Sequence, residues 1–288
     1  SAASYRDTAE ELSAALGQME AQVYIAPGNH DWYGPGSPYL TVKWPENVHI
    51  FTQPRLETME WPEKNLALHG AAFTHGEQAD GFLTGFTAPA DGKLHIGLLH
   101  GEIDPSEARY NPIRKEEIAA SGLAYLALGH IHKPMKVGSE TLRYCGTPMP
   151  YSLSEENQQK GILMVEMGAK GDVQTTVLPL HPVHQVRKLR ATREALLSGA
   201  SEDFVSICVI GAEATEMVGL RELLRERYPN LLELRREREE TVELAALQER
   251  TETLSPYELC LQFAGERLNA EEKALLTEVM NAMEEENA

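Results

Sequence analysis

The chain has 288 residues, of which 42% are apolar and 24% are charged, a composition typical of globular proteins. This length predicts about two domains, and no run approaches the ~18 consecutive apolar residues of a membrane-spanning helix. The net charge of −18 argues against general nucleic-acid binding, because phosphate contacts need cationic side chains. The acidic residues are concentrated after position 200, so a DNA substrate of the first part is not excluded. Three widely spaced cysteines, Cys145, Cys208 and Cys260, predict reduced thiols in a cytoplasmic protein without membrane attachment.

The first two thirds of the chain alternate between predicted helices and strands. Apolar residues at spacings of three and four predict a helix over 8–19, and Gly122 ends a second predicted helix over 114–121. Short apolar runs predict buried strands over 23–26, 94–99 and 123–128, and the runs 162–167 and 173–180 predict a hairpin. The alternation favours a sheet covered by helices, with loops leaving the strand ends.

The composition changes near 181–186, so we expect one domain of residues 1–182 and a second region of residues 183–288. The second region begins with a predicted β-α-β module, formed by a strand over 204–210, a helix over 216–228 and a strand over 231–234. We expect the apolar side of that helix to carry Val218, Leu220, Leu223 and Leu224. Two more helices are predicted over 257–263 and 269–286, the latter opened by a capping box of Asn269 and Glu272.

Three predicted strands are each followed by side chains of the types that bind metals. The residues Gly-Asn-His-Asp at 28–31 follow the first strand, and His100 follows the second. His130 and His132 follow the third, and in extended backbone a spacing of two places both imidazoles on one side. The preceding glycines allow the backbone to approach the site closely. Each piece alone is a weak signal, but the conjunction predicts a metal site at one edge of the sheet.

These motifs resemble those of the calcineurin-like metallophosphoesterases: Gly-Asn-His-Asp at 28–31, His-Gly-Glu at 100–102 and Gly-His-Ile-His at 129–132. Tyr-Cys-Gly-Thr-Pro at 144–148, followed by Ser-Glu-Glu at 154–156 and Lys-Gly at 160–161, is similar to the SbcD/Mre11-type DNA repair exonucleases. The resemblance implies an α/β fold with a metallophosphoesterase-like β-sandwich flanked by helices, a small α+β cap module and C-terminal helices. It also implies hydrolysis of DNA phosphodiester bonds with two divalent cations, typically Mn²⁺.

By the same resemblance, Asn29, His100 and His130 match ligands of one cation, and His132 matches a ligand of the other. The family also carries Asp-x-His and Gly-Asp-x-x-Asp before Gly-Asn-His-Asp, and neither motif occurs in this sequence. Without a bridging carboxylate, two close cations repel each other, so we expect at most one bound cation. The expectation is a chain that lacks the first strands of its parent enzyme and has weak or no nuclease activity; a degenerate regulatory homologue is the alternative.

Other residues near these motifs have less specific expected roles. His30 matches a proton donor or transition-state contact of the family, and Asp31 is expected to orient it. Trp32 and Tyr33 either stack on an unpaired base or pack the loop that follows. The histidines outside the motifs, among them His69 and His95, are expected to be packing or solvent residues.

The C-terminal region carries an apolar stripe at helical spacing, either packed on the body or used for docking: Leu259, Phe263, Leu275, Leu276, Val279 and Met283. In the family, the docking partner is an SbcC/Rad50-like coiled-coil ATPase, and homodimers are common. Two other functions stay open. One is a phosphoesterase of small molecules or cyclic nucleotides, and the other is a non-catalytic scaffold that binds such an ATPase or DNA.

Overall fold

The computed structural model describes residues 2–237, 272–273 and 275–277. The predicted helix over 257–263, most of the helix over 269–286 and the cap residue Asn269 lie outside the described residues, as do Leu259, Phe263, Val279 and Met283 of the apolar stripe. Contacts along the chain divide it into two units, Ser1–Arg187 and Lys188–Ala288. No helix in the described ranges is long and apolar enough to cross a membrane.

The first unit contains three α-helices and twelve strands among the described residues. Its helices are α1 (Ala2–Leu16), α2 (Pro38–Thr41) and α3 (Lys115–Ala120). Its strands are β1 (Val23–Ile25), β2 (Val48–Ile50), β3 (Glu57–Trp61), β4 (Leu66–Gly70), β5 (Leu94–His100), β6 (Glu102–Ile103), β7 (Pro112–Ile113), β8 (Tyr125–Gly129), β9 (Met135–Val137), β10 (Ser139–Tyr144), β11 (Gly161–Met167) and β12 (Val173–Pro179).

The central sheet has six strands in the order β3-β4-β5-β8-β10-β9. The four inner strands run parallel, whereas β3 and β9 are antiparallel edge strands. Parallel strands are covered on both faces, which is why β5 and β8 are apolar along most of their length. This architecture confirms the predicted mixed α/β fold.

Alternate residues of β5 contribute to different cores on the two faces of the sheet. Leu99 belongs to a buried cluster with Leu126 and Leu128 on one face. Leu98 packs on the other face against a cluster that contains Phe51, and this cluster also contacts residues of β1. The parallel pair β1-β2 therefore covers the second face, and the loop that follows β1 lies near the end of β5.

The second unit, as far as it is described, is a three-stranded sheet with two helices: β13 (Val186–Thr192), α4 (Arg193–Ser198), β14 (Phe204–Ile210), α5 (Leu220–Arg225) and β15 (Leu231–Arg236). The parallel strands β14 and β15 are connected through α5, which confirms the predicted β-α-β arrangement. Ile207 of β14 and Leu220 and Leu224 of α5 are fully buried in one core.

The predicted helix over 216–228 is wrong in extent. Gly219 has a φ of +70°, a left-handed conformation that separates a short 3-10 turn, Ala214–Met217, from α5. The helix therefore starts later than the apolar spacing suggests. Leu220 and Leu224 are buried as expected, but Val218 is 83% exposed and Leu223 is 45% exposed.

Two buried histidines, His69 of β4 and His95 of β5, form a continuous polar chain inside the first unit. His69 Nδ1 lies 2.9 Å from Thr58 Oγ1, His69 Nε2 lies 2.8 Å from His95 Nδ1, and His95 Nε2 lies 3.0 Å from Asp91 Oδ1. Burial, aided by the neighbouring imidazole of His95, lowers the pKa of His69 to about 4. These histidines are packing residues, and the fold holds His69 in its neutral form.

Stability should therefore fall as the pH decreases from 6.5 towards 4. In this window the unfolded chain binds a proton at His69 that the folded chain does not bind, which costs up to about 1.4 kcal/mol per pH unit. Urea unfolding from pH 4 to 7 measures this slope, which should be smaller in His69→Gln and unchanged in the control His181→Gln, at an exposed site. An equal slope in His69→Gln and wild type would contradict this account.

Candidate functional site

The carboxyl ends of β1, β5 and β8 bring three of the predicted site residues together. His100 is the last residue of β5 and lies opposite Gly129, the last residue of β8. His130 follows directly, and Asn29 lies in the loop after β1. Crevices outside the carboxyl ends of parallel strands are common binding sites in α/β proteins.

Asn29, His100 and His130, here called the strand-end cluster, point their polar atoms at one another. His100 Nε2 lies 2.8 Å from Asn29 Oδ1 and 3.3 Å from His130 Nδ1. The rings of His100 and His130 meet edge to face, with centroids 5.1 Å apart. The structure thus places side chains that are far apart in sequence within direct contact.

Gly28 permits this close approach. A Cβ atom at Gly28 would lie 2.6 Å from the ring of His100, closer than real Cβ contacts allow. At Gly129 the corresponding distance to His100 Nδ1 would be 3.0 Å. The expectation that glycines beside the motifs allow close backbone approach is therefore confirmed.

The backbone at His130 departs from the predicted extended conformation. The strand β8 ends at Gly129, and His130 has a φ of +101°, which is unusual for a residue other than glycine. Such strain costs of order 1–3 kcal/mol and persists only where surrounding contacts impose it. The prediction of extended backbone at His130 is therefore wrong, and the rings of His130 and His132 contact different carboxylates, Glu102 and Glu155.

The partner that fixes His130 is Glu102. Glu102 Oε1 lies 2.9 Å from His130 Nε2, so a hydrogen on Nε2 leaves Nδ1 as the acceptor that faces His100. Carboxylates that hold the far nitrogen of a metal-binding histidine in this way are a common second layer of metal sites. Tyr110 lies against the same ring, with centroids 5.2 Å apart.

The His100 position is held from its backbone as well. The side chain of Asn111, which is fully buried, donates from Nδ2 to the carbonyl oxygen of His100 over 2.8 Å. Burial, with a further contribution from the nearby imidazole of His130, lowers the pKa of His100 to about 4. The ring is therefore neutral near pH 7, the form in which imidazole binds metals.

His132, whose side chain is 44% exposed, contacts a buried ion pair formed by Glu155 and Lys160. Its Nδ1 lies 3.0 Å from Glu155 Oε1, while Lys160 Nζ lies 2.5 Å from Glu155 Oε2 and donates to the His132 carbonyl oxygen over 3.0 Å. The Glu155 and Lys160 side chains are 5% and 1% exposed. Burial opposes ionisation of Glu155, but hydrogen bonds from Lys160 and His132 outweigh it and hold its pKa at about 2.

His30 is exposed beside the strand-end cluster, and Asp31 does not orient it as expected. The Asp31 carboxylate accepts a hydrogen bond from Gly28 N over 2.8 Å and another from the Tyr39 hydroxyl. Because both oxygens are engaged, Asp31 closes the loop that presents Asn29. The loop folds back on itself and places the Asp31 carboxylate against Tyr39, eight residues later.

Trp32 and Tyr33 are half-buried. Trp32 packs against the core cluster on one face of the central sheet, and Tyr33 packs against the cluster on the other face. Trp32 also stacks on His75, with ring centroids 6.4 Å apart. The contacts favour the packing alternative over base stacking for these two residues.

The spacing of the strand-end cluster fits the ligands of one metal ion. Neighbouring ligands lie about 3.0–3.5 Å apart when each is about 2.0–2.2 Å from the ion. Of the two cluster distances, 3.3 Å lies in this range and 2.8 Å lies slightly below it. Within the described ranges, no group of three His, Cys, Asp or Glu side chains is placed to hold a metal. The strand-end cluster is not such a group, because one of its three donors is the amide oxygen of Asn29. The set fits one cation with neutral ligands and does not fit a two-cation centre, which needs an anionic ligand between mutually repelling charges.

Comparison with known proteins supports the motif assignment. Over 175 residues, the chain is 29% identical to the uncharacterized metallophosphoesterase YhaO of Bacillus subtilis, covering 58% of this chain and 42% of that protein. The chain is thus similar to a protein named as a metallophosphoesterase. Two more distant relatives are each named as the SbcD component of the nuclease SbcCD. One, from Staphylococcus epidermidis, is 21% identical over 212 residues, covering 62% of this chain and 55% of that protein. The other, from Staphylococcus saprophyticus, is 25% identical over 176 residues, covering 56% of this chain and 45% of that protein.

The chain spans about half the length of the curated relatives that it matches, 42–55% of each. No family model matches the chain.

Four residues around the site have roles that the sequence did not reveal: Glu102, Asn111, Glu155 and Lys160. Glu102, Glu155 and Lys160 stand inside the sequence motifs, so their presence was visible while their contacts were not. Asn111 belongs to none of the sequence motifs. Its unusual backbone conformation, with a φ of +49°, is seen only in the structure.

Replacing Glu155 by Gln should destabilise the protein strongly, because it leaves the buried ammonium of Lys160 without its anionic partner. The expected loss is about 3–5 kcal/mol in the free energy of unfolding, measured by urea denaturation. The control Glu166→Gln removes an exposed carboxylate from β11 and should change stability by less than about 0.5 kcal/mol. The double variant Glu155→Gln/Lys160→Met should recover part of the loss, and no recovery would show that the pair is not the cause.

Proposed function

We propose that this chain is a metal-dependent phosphodiesterase that acts on DNA, of the SbcD/Mre11 exonuclease type. The observation that carries the proposal is the strand-end cluster, where Asn29, His100 and His130 meet at ligand spacing. The relatives named as the SbcD component of a nuclease support DNA as the substrate. The relative YhaO, named only a metallophosphoesterase, keeps a small phosphoester or cyclic nucleotide as the second candidate substrate.

In this proposal Asn29, His100 and His130 hold one divalent cation, Mn²⁺, and His132, which matches a ligand of the second cation in the family, holds none. When bound, a cation in such a site polarises the phosphodiester and lowers the pKa of water. The side chains around the site contribute by holding the histidines in fixed orientations. Glu102 orients His130, and the Glu155–Lys160 pair orients His132, so the donors are positioned before any ligand arrives.

His30 is the proposed proton donor to the leaving oxygen. It is exposed and lies in the loop after β1, next to Asn29 of the strand-end cluster. A residue that exchanges protons with a substrate needs this access to the open side of the site. Asp31 acts indirectly, since it fixes the loop that carries both His30 and Asn29.

We further propose that the region after residue 183 acts as a cap and docks an SbcC/Rad50-like coiled-coil ATPase through its C-terminal helices. Leu275 of the apolar stripe is 62% exposed, as a docking residue should be. Homodimer formation belongs to the same proposal.

The chain alone should bind one Mn²⁺ with low affinity, since three neutral donors supply no negative charge. Calorimetric titration should give one site per chain in wild type and in the exposed-site control His181→Ala, and no site in His130→Ala. Two equally tight sites in wild type, or unchanged binding in His130→Ala, would contradict the assignment.

Hydrolysis by the chain alone should be slow, dependent on Mn²⁺ and directed at DNA. At high protein concentration, cleavage of single-stranded DNA should exceed cleavage of a cyclic dinucleotide, and His30→Ala should lower it by about 10²–10⁴-fold. Faster cleavage of the cyclic dinucleotide would favour the small-molecule substrate. DNA binding without turnover in wild type would favour the non-catalytic scaffold.

A further inference from the structure

A cavity of about 600 Å³ opens beside the strand-end cluster, within the size range of small-molecule binding sites. Its apolar lining comes from Ile103, Ile131, Val137 and Tyr144. The wall is fixed, because the buried Tyr144 hydroxyl donates to the Gly101 carbonyl over 2.9 Å and accepts from Ile103 N over 3.2 Å. The cavity is thus formed before any ligand enters.

Two side chains that line the cavity also contact His130 of the strand-end cluster. Glu102 lines the cavity and holds His130 Nε2 at 2.9 Å. Tyr110 lines the cavity and lies against the same His130 ring. A molecule bound in the cavity can therefore contact the same two groups that contact His130.

The charges of the lining argue against an anion in the cavity itself. The two cations, Arg109 and Lys115, are each already paired, with Glu77 and with Asp104. The lining also contains two carboxylates, Glu102 and Glu107. Such a cavity disfavours a phosphate group and favours an apolar ring whose edge carries N–H donors.

A flat aromatic ligand has suitable surfaces to contact. The Arg109 guanidinium lies 5.6 Å from the centroid of the Tyr110 ring, and both groups line the cavity. Bases stack on tyrosine rings and on guanidinium planes alike.

We propose that this cavity binds the base of the nucleotide whose phosphate lies at the strand-end cluster, and that it prefers purines. A purine offers more apolar surface than a pyrimidine, and its amino or imino N–H groups can donate to Glu102 or Glu107. The inference rests on the proposed function, because it takes the substrate to be a nucleic acid. It adds a base-recognition site next to the chemistry.

Free nucleosides test the base site without metal and without hydrolysis. Met135 lines the cavity, whereas Met164 lies on β11 outside it, so their ¹³C-methyl NMR signals report site and control. Deoxyadenosine should shift Met135 and not Met164, thymidine should bind severalfold more weakly, and ribose 5-phosphate should leave Met135 unshifted. An unshifted Met135 with deoxyadenosine overturns the base site, and equal binding of thymidine overturns the purine preference.

A cavity-filling variant gives the matched comparison. Ser106 is an exposed loop residue of the lining, and Ser106→Trp should weaken deoxyadenosine binding by at least about tenfold. Ala90→Trp places the same side chain on an exposed loop outside the cavity and should bind like wild type. Unchanged binding in Ser106→Trp overturns the proposal. If the chain binds nucleosides but cleaves no phosphodiester, the base site is retained and the proposed hydrolysis is rejected. If the chain cleaves phosphodiesters but binds no nucleoside, the proposed hydrolysis is retained and the base site is rejected.

Discussion

The contact between Asn29 Oδ1 and His100 Nε2 joins two layers of the first unit, over a separation of 71 residues. It requires β1 to lie over one face of the central sheet and β5 to end at the same edge. It also requires glycine at position 28, because a Cβ there would collide with the His100 ring. The geometry at His130 and the turn after β8 build on this contact.

Three histidines of the first unit each contact a carboxylate: His130 contacts Glu102, His132 contacts Glu155, and His95 contacts Asp91. A buried polar group is costly unless it is paired, so each network fixes one arrangement of its side chains. The histidines of the site are therefore held by partners that are not themselves part of the strand-end cluster.

The distribution of charge separates the site from the rest of this acidic chain. None of the three donors of the strand-end cluster is anionic, and the carboxylates nearest to them are occupied by His130, Tyr39 and the backbone of Gly28. Neutral donors leave the charge of a bound cation uncompensated, which favours an anionic group such as a phosphate beside it. The adjoining cavity has the opposite character, since its cations are paired and two carboxylates line it. The two neighbouring regions thus suit the two chemically different parts of a nucleotide.

Much of the fold was predictable where local signals are strong. The apolar strands β1, β5, β8 and β14 and the hairpin of β11 and β12 follow from short apolar runs bounded by turn residues. The strands β3, β10 and β13 were missed, because their exposed positions carry charged or polar residues and interrupt the apolar pattern. The helix over 216–228 was predicted too long, because apolar spacing gives no sign of the left-handed backbone that Gly219 adopts.

The sequence alone determined which side chains follow the strand ends, since Asn29, His100 and His130 stand at places set by local strand and turn patterns. Only the tertiary structure decided which atoms meet. Glu102 lies 28 residues before His130, Glu155 lies 23 residues after His132, and Asp31 turns to Tyr39 instead of His30. These pairings depend on how separate elements pack and on a strained φ at His130, and no local pattern of residues encodes either one.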